Sequence, residues 1–269
     1  MNRRVVITGA AEGIGRALAE EFGLQSDAIT CVDVNTTLAE QTQAALRKHG
    51  IAIDFCQADL SLAQDRERMV RELVVGPQID VLIHCAGINC VGPFVDSNIA
   101  AQCKVLDINL TAPLQVTAAL LQTGAIARHG SLVFISSLSR FASYPGASVY
   151  AATKDGLASY ARGLAVALAP QDIHVLTVYP GPTRTAHARR YSPDNSREAR
   201  RMQPARLAAE ITRAVKHRKH TLVPGFGNQA FAMLGRWAPP ISEWLMARTL
   251  WKQLAAGYRT RIDDSSNQI

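Results

Sequence analysis

Thr8-Gly9-Ala10-Ala11-Glu12-Gly13-Ile14-Gly15 stands between the apolar run Val5-Val6-Ile7 and a segment with helical spacing from Gly15 to Leu24. Glycines at a strand–helix junction let the chain turn sharply. They also let a ligand approach the backbone, where the first turn of the helix offers unpaired N–H groups to an anion. The spacing here is Gly-x3-Gly-x-Gly, which departs from Gly-x-Gly-x-x-Gly, and a tight structural turn would look similar. Weight comes from Asp33, twenty residues past Gly13 at the end of the next β-branched run. A carboxylate there accepts both ribose hydroxyls of a dinucleotide and repels a 2′-phosphate. No basic residue stands at Glu12, Val34 or Asn35, so the pattern favours NAD, with NADP less favoured. The plainer reading of Asp33 is a helix cap or turn residue.

Working outward, short β-branched runs at 4–8, 28–32, 51–57, 79–85, 131–136 and 173–179 alternate with helical patterns at 15–24, 36–49, 61–74, 109–128 and 148–169. The runs are apolar on successive residues, as strands covered on both faces must be. Strand–helix–strand repetition with right-handed crossovers predicts an α/β fold, a doubly wound parallel sheet (Rossmann-like), whose ligands sit at the carboxyl ends of the strands. The chain has 269 residues, 48% of them hydrophobic and 19% charged, which supplies a core and excludes general disorder. One domain is expected, with a catalytic and dinucleotide-binding part over 1–224 and a helical C-terminal extension packed on it over 225–269. The five cysteines show no CxxC pairing, so neither a disulfide framework nor a metal site is predicted. With no signal-peptide pattern and no apolar run long enough to span a bilayer, a cytoplasmic location is expected.

Chemistry-bearing residues follow downstream. Ser137 precedes Tyr150 by thirteen positions, and Tyr150-Ala151-Ala152-Thr153-Lys154 sets a phenol and an amine one helical turn apart on one face. A phenol ordinarily titrates near ~10, so a proton shuttle at neutral pH needs a positive neighbour, which Lys154 supplies. A serine hydroxyl at the end of the fifth strand would hold the substrate oxygen. Taken singly, such a tyrosine–lysine pair is surface decoration and such a serine a cap. Together they form an acid–base centre for a carbonyl or alcohol. No Gly-x-Ser-x-Gly elbow surrounds Ser137, which argues against hydrolysis.

These residues, with Asp59-Leu60, Ala86-Gly87, Asn109 and Pro180-Gly181, resemble the motif set of the short-chain dehydrogenase/reductase family over residues 3 to about 224. The resemblance implies hydride transfer between a nicotinamide and a secondary alcohol or ketone. Ser137, Tyr150 and Lys154 would then be catalytic, with Asn109 holding a water in a relay to Lys154. It implies that Gly9, Glu12, Gly13, Ile14 and Gly15 cradle the cofactor, that Asp59 and Leu60 flank the adenine, and that Ala86 and Gly87 border the ribose. Pro180, Gly181, Thr183 and Thr185 would lie at the nicotinamide, and Lys154 would also bind its ribose. The family's usual Asn-Asn-Ala-Gly reads His84-Cys85-Ala86-Gly87 here, and His84 is read as a strand histidine. A homo-oligomer, dimer or tetramer, is a further implication. A catalytically silent nucleotide-binding scaffold or redox sensor is the alternative.

Pocket walls are expected from 89–94, 138–149 and the segment after Pro182, with Phe94, Leu138 and Tyr144 making them largely apolar. Seven arginines between Arg184 and Arg206 form an expected flap, which either recognises an anionic substrate or is a solvated helical face. The formal charge of +7 favours anionic partners, but no nucleic-acid motif accompanies it. Beyond Gly225 come all three tryptophans, Trp237, Trp244 and Trp251, with Pro239-Pro240 separating two short helices. Such a tail packs over the pocket, meets a second subunit, or makes peripheral contact with a membrane. Residues 262–269 read as a frayed terminus.

Overall fold

The computed structural model describes residues 3–25, 27–92, 96–142, 144–192 and 195–251. Seven parallel strands form one sheet in the order β3-β2-β1-β4-β5-β6-β7: β1 Arg4–Thr8, β2 Ala28–Asp33, β3 Ile53–Gln57, β4 Ile79–His84, β5 Ile126–Ile135, β6 His174–Val178 and β7 Thr221–Leu222. Alternate residues of one strand feed opposite faces. Val5 and Ile7 join a core with Leu18, Phe22, Leu207 and Ile211, from helices α1 (Gly13–Gly23) and, near the C-terminus, Pro204–Lys216. Val6 joins Met69, Val116, Leu120 and Leu157 on the other face. That second layer is made by α3 (Ala63–Val75), α5 (Ala112–Gln122) and α6 (Ser148–Ala167), while α2 (Thr36–Arg47) follows β2. Burial on both faces is why the strands are apolar on successive residues rather than alternating.

Strand order reverses between β1 and β4, and a crevice opens at that point. Thr8 ties its rim together, its Oγ1 accepting from the N–H groups of both Cys85 and Ala86 at 3.1 Å.

The largest departures from the sequence expectation lie around α5 and β5. The helix expected from Asn109 begins earlier: α4 (Ile99–Leu106) runs through a π-helical turn, Asp107–Thr111, into α5, so Asn109 sits inside a continuous rod. It also stops earlier, because Gly124 at φ +68° turns the chain out of the helix, and the residues after it start β5 five positions before the expected strand. His129, at φ +64°, breaks the pleat inside that strand and hid the continuity of the two halves. The two-residue β7 is too short to leave a periodic signal.

The arginine-rich segment folds as α7 (Ala186–Tyr191) and a short turn at Glu198–Arg200. It is tied back by Arg184 N–H to Met202 O at 2.9 Å and Met202 N–H to Pro182 O at 3.1 Å. After α8 (Pro204–Lys216) the chain forms α9 (Phe226–Trp237) and α10 (Pro239–Met246), separated at the double proline as expected. Helix α9 lies on the turn Leu138–Phe141 so closely that a Cβ at Gly235 would stand 1.7 Å from the Phe141 carbonyl oxygen.

Candidate active site

The crevice continues into one cleft of 1950 Å³, against the about 300–1,000 Å³ of an ordinary small-molecule pocket, so it has room for a dinucleotide and a substrate together. Its floor is the glycine loop. Gly9 (φ +69°) abuts the opposite rim, where a Cβ would come within 2.7 Å of Ala86 Cα, and a Cβ at Gly15 would lie 2.1 Å from Gly9 O. Gly13, at φ +59°, faces Thr185 across the cleft. The Glu12 side chain does not cap α1, so the amides of the first turn keep their donors for an anion. A pyrophosphate fits such a cradle, which side chains at the glycines would fill.

At the far end, Asp33 Oδ2 accepts from Ala11 N–H and Oδ1 from Asn35 N–H, both at 3.0 Å. The turn-residue reading of Asp33 is therefore true, and it is compatible with the other, since each carboxylate oxygen keeps lone pairs for a ribose. This end is lined by Val34, Asn35, Leu38, Ala58, Asp59 and Leu60, and none of these is basic. Asp59 is held below the usual carboxylate range: burial works to raise it, and is outweighed by hydrogen bonds from Ser61 Oγ and N–H and by Lys104.

Ala86, Gly87, Ile14, Pro180, Gly181, Thr183 and Thr185 also line the cleft. Thr185 Oγ1 accepts from Ala188 N–H at 3.0 Å, making it the N-cap of α7. Thr183 Oγ1 donates to Gly181 O at 3.1 Å.

In the middle stand Ser137, Tyr150 and Lys154. Ser137 stands two residues past the end of β5, its Oγ accepting from Ser139 N–H at 3.1 Å, and it lines the cleft with Tyr150. Lys154, buried, donates to Ile135 O at 2.9 Å and lies 5.7 Å from the centroid of the Tyr150 ring. Ser136 Oγ donates to Lys154 O at 2.8 Å and fixes α6 against β5. Burial pushes the Tyr150 hydroxyl up to about 12, against the lowering pull of Ser137, and brings the Lys154 ammonium down to about 8. The expectation that Lys154 carries the phenol down toward neutrality is not met in this geometry, because withdrawal from water outweighs every neighbouring group.

Asn109, fully buried in the π turn, bonds the Ile88 backbone and donates to Thr153 Oγ1 at 3.3 Å. Such turns widen a helix by one residue and recur at functional sites. Leu138 and Tyr144 line the cleft as expected, and the Tyr144 ring meets Tyr150 edge-on at 6.2 Å; Phe94 lies outside the described residues. His84 is structural. It stacks on Phe134 at 5.2 Å, bonds Thr117 Oγ1 at 2.8 Å, and is pushed by burial down to about 3.

Sequence reasoning missed the contribution of Ile88, Ile135 and Thr153, which act through backbone groups or a side chain with no motif of its own. It also understated His187, which lines the cleft near Lys154 and is lowered to about 4 by burial and then by the Lys154 and Arg190 charges. Of the arginines, Arg189 pairs with Glu198 and Arg206 with Glu210, while Arg201 bonds Ser192 and Asn195 and partly offsets the rise that burial imposes on the Tyr144 hydroxyl. The segment is thus part internal scaffold and part cleft wall, rather than one of the two alternatives. No group of metal-ligating side chains occurs among the described residues.

Comparison with known proteins agrees with this arrangement. "Dehydrogenase/reductase SDR family member 4" of Homo sapiens is 29% identical over 208 residues, which cover 77% of this chain and 75% of that protein. A short-chain dehydrogenase from Sphingobium yanoikuyae, solved in complex with NADPH, superposes with a TM-score of 0.75 at 28% identity, covering 87% of this chain and 93% of the other. The bulky-bulky ketone specific alcohol dehydrogenase from Comamonas testosteroni superposes at 0.73 and 28% identity, covering 87% and 91%. The family model for short chain dehydrogenases matches residues 3–196, and the chain belongs to that family of oxidoreductases.

Proposed function

We propose that the protein transfers hydride between NAD and a secondary alcohol or its ketone, with Tyr150 as general acid and base. The observation that carries this reading is the meeting of Ser137, Tyr150 and buried Lys154, whose ammonium lies 5.7 Å from the Tyr150 ring centroid, in the same cleft as the glycine cradle. When bound, the nicotinamide supplies or accepts the hydride. Ser137 orients the substrate oxygen, and Tyr150 gives a proton to a forming alkoxide or takes one from an alcohol. Lys154 stabilises the phenolate at that moment and is aimed by Ile135 O. Asn109 holds the Ile88 loop over this centre.

Asp33, with no basic residue in the lining around it, supports NAD over NADP, although the Sphingobium relative was solved with NADPH. Leu138, Tyr144, Phe231 and Met246 in the wall support a lipophilic substrate, and Arg190, Arg200 and Arg201 support an anionic group on it. Assembly as a homo-oligomer is part of the same proposal, as is the division into a catalytic part over 1–224 and an extension packed on it.

The test is a fluorescence titration with NADH and NADPH in parallel, followed by an NAD-linked screen of lipophilic alcohols and keto acids. NADH should bind at least tenfold tighter, and Tyr150→Phe should abolish turnover while leaving NADH affinity within about threefold. Tighter NADPH binding would overturn the cofactor reading, and turnover retained in Tyr150→Phe would overturn the catalytic one.

A further inference from the structure

The last described helices carry apolar residues where a surface helix should be polar. In α9, Ala232 and Gly235 are buried against the domain. Phe226, Met233 and Trp237, spaced i, i+7 and i+11, fall within about 40° of one another on the opposite side at 100° per residue. They are 86%, 63% and 78% exposed. Ile241 and Trp244 extend the stripe along α10 while Ser242 points inward, and Trp251 follows in the π-helical turn Ala247–Trp251. Every tryptophan of the protein is therefore on this surface. Scattered exposed leucines and valines need no explanation, but exposed Phe, Met, Ile and Trp side chains gathered on two successive helices mark a contact surface.

Cations accompany the rings. The Arg248 guanidinium lies 4.4 Å from the centroid of Trp244, and that of Arg236 lies 6.0 Å from Trp237. Phe226, Met246 and Arg248 also form part of the cleft lining, together with Arg190, Arg197 and Arg200 from the segment before α8. The stripe is thus continuous with a positive rim around the cleft mouth, on a chain of formal charge +7.

We propose that α9 and α10 dock this protein on the surface of an anionic lipid bilayer, with the aromatic stripe in the interfacial layer and the arginines on the lipid phosphates. Tryptophan suits that layer because its ring is apolar and its N–H polar, and arginine stacked on it reaches phosphate without leaving the ring. No helix among the described residues is long and apolar enough to cross a membrane, so the contact is peripheral. Charge selects the occupant: a polyanionic surface complements the positive rim, whereas a second copy would bring its own arginines against it. Docked this way, the cleft opens toward the bilayer. The proposal does not depend on the reaction assigned above.

The experiment is flotation of the full chain with phosphatidylcholine vesicles, with and without 30% phosphatidylserine, beside light scattering of the free protein. The wild type should float with the anionic vesicles at least tenfold more than with the neutral ones, and release when salt is raised to 0.5 M. Met233→Ser with Trp237→Ser, and separately Trp244→Ser, should each lower flotation at least tenfold while thermal midpoint and NADH affinity stay unchanged, which separates lost docking from lost folding. Absence of flotation overturns the proposal, as does flotation indifferent to these substitutions. If the substitutions instead split an oligomer of a protein that never floats, the stripe is a subunit contact and the proposal fails.

Discussion

The Asn109 carboxamide pairs with the Ile88 backbone in both directions, accepting from its N–H and donating to its carbonyl oxygen, each at 2.9 Å. The pair joins the loop after β4 to the π turn between α4 and α5. A third bond runs from Asn109 to Thr153 Oγ1, whose own hydroxyl donates to Tyr150 O at 2.7 Å. One buried side chain thereby sets the distance between the cofactor rim and the helix that carries Tyr150 and Lys154. A Cβ on Gly87 would stand 3.3 Å from Asn109 Oδ1 and 3.4 Å from Lys154 Nζ, so there is little slack.

Asn109→Leu keeps the branched heavy-atom shape and removes every one of these bonds, stranding two backbone groups of Ile88. Each stranded group costs about 1–3 kcal/mol, so unfolding in urea should show a loss of about 2–6 kcal/mol. Asn109→Asp retains the bond from Ile88 N–H but sets a carboxylate oxygen against Ile88 O, and should fall between the two. In both variants kcat should drop more than NADH affinity, because the glycine cradle is untouched. Equal losses in the two would remove Asn109 from its positioning role.

Lys154 is held charged at a cost to the fold. A fall from 10.5 to about 8 corresponds to about 3 kcal/mol of unfavourable burial. Between those values the unfolded chain binds a proton the folded one has released, so this lysine makes stability rise with pH from about 8 toward 10.5. Lys154→Met removes the buried charge but leaves Ile135 O without its donor, which costs about 1–3 kcal/mol. The net at pH 7 should be slight stabilisation, of order 1 kcal/mol, with turnover abolished. Urea titrations from pH 7 to 10.5 should give a wild-type minus variant difference that climbs with pH; a flat difference would mean that the ammonium is not strained.

His84 works in the other pH range. It is neutral in the folded protein down to about 3, while an unfolded histidine takes up a proton below about 6.5. The unfolded state therefore binds more protons throughout that window. Stability should fall as pH drops below 6.5, by up to about 1.4 kcal/mol per pH unit from this residue. His84→Gln keeps an amide for Thr117 Oγ1 and should flatten the slope between pH 6.5 and 4.5, read by thermal melts. An unchanged slope would assign the acid sensitivity to His187 and His174, which burial lowers in the same direction.

The parts of this molecule legible in the sequence were those whose chemistry is local. Glycines 9, 13 and 15 with Asp33, and the four-residue spacing of Tyr150 and Lys154, need only short-range geometry. The apolar runs needed only the rule that a doubly covered strand is apolar throughout. Hidden were the features set by the third dimension. The π turn leaves no pattern of its own, and Ile88 and Ile135 act through backbone atoms that any residue carries. Tyr150 shows the same limit in its electrostatics, since spacing revealed its positive neighbour but not the burial that outweighs it. In α9 Phe226, Met233 and Trp237 were visible as apolar residues, while their outward direction depends on Gly235, which presents the other face to the domain.

Gly235 gives the sharpest steric test of that arrangement. In a helix interior, alanine is favoured over glycine by about 1 kcal/mol, so Gly235→Ala would stabilise an isolated α9. Here the added Cβ would stand 1.7 Å from Phe141 O, far inside contact distance, and backbone on both sides leaves no flexible side chain to yield. Overlap wins, and α9 must lift from the turn Leu138–Phe141, which carries one wall of the cleft. NADH affinity should stay within about threefold, because the glycine loop and Asp33 lie at the other end, while KM for substrate rises several-fold and protease cleavage after Arg236 accelerates. Gly15→Ala makes the complementary case: its Cβ would lie 2.1 Å from Gly9 O, so NADH binding itself should be lost. If both variants lost NADH to the same extent, the two ends of the cleft would be one cooperative unit rather than a cofactor cradle and a separately packed substrate wall.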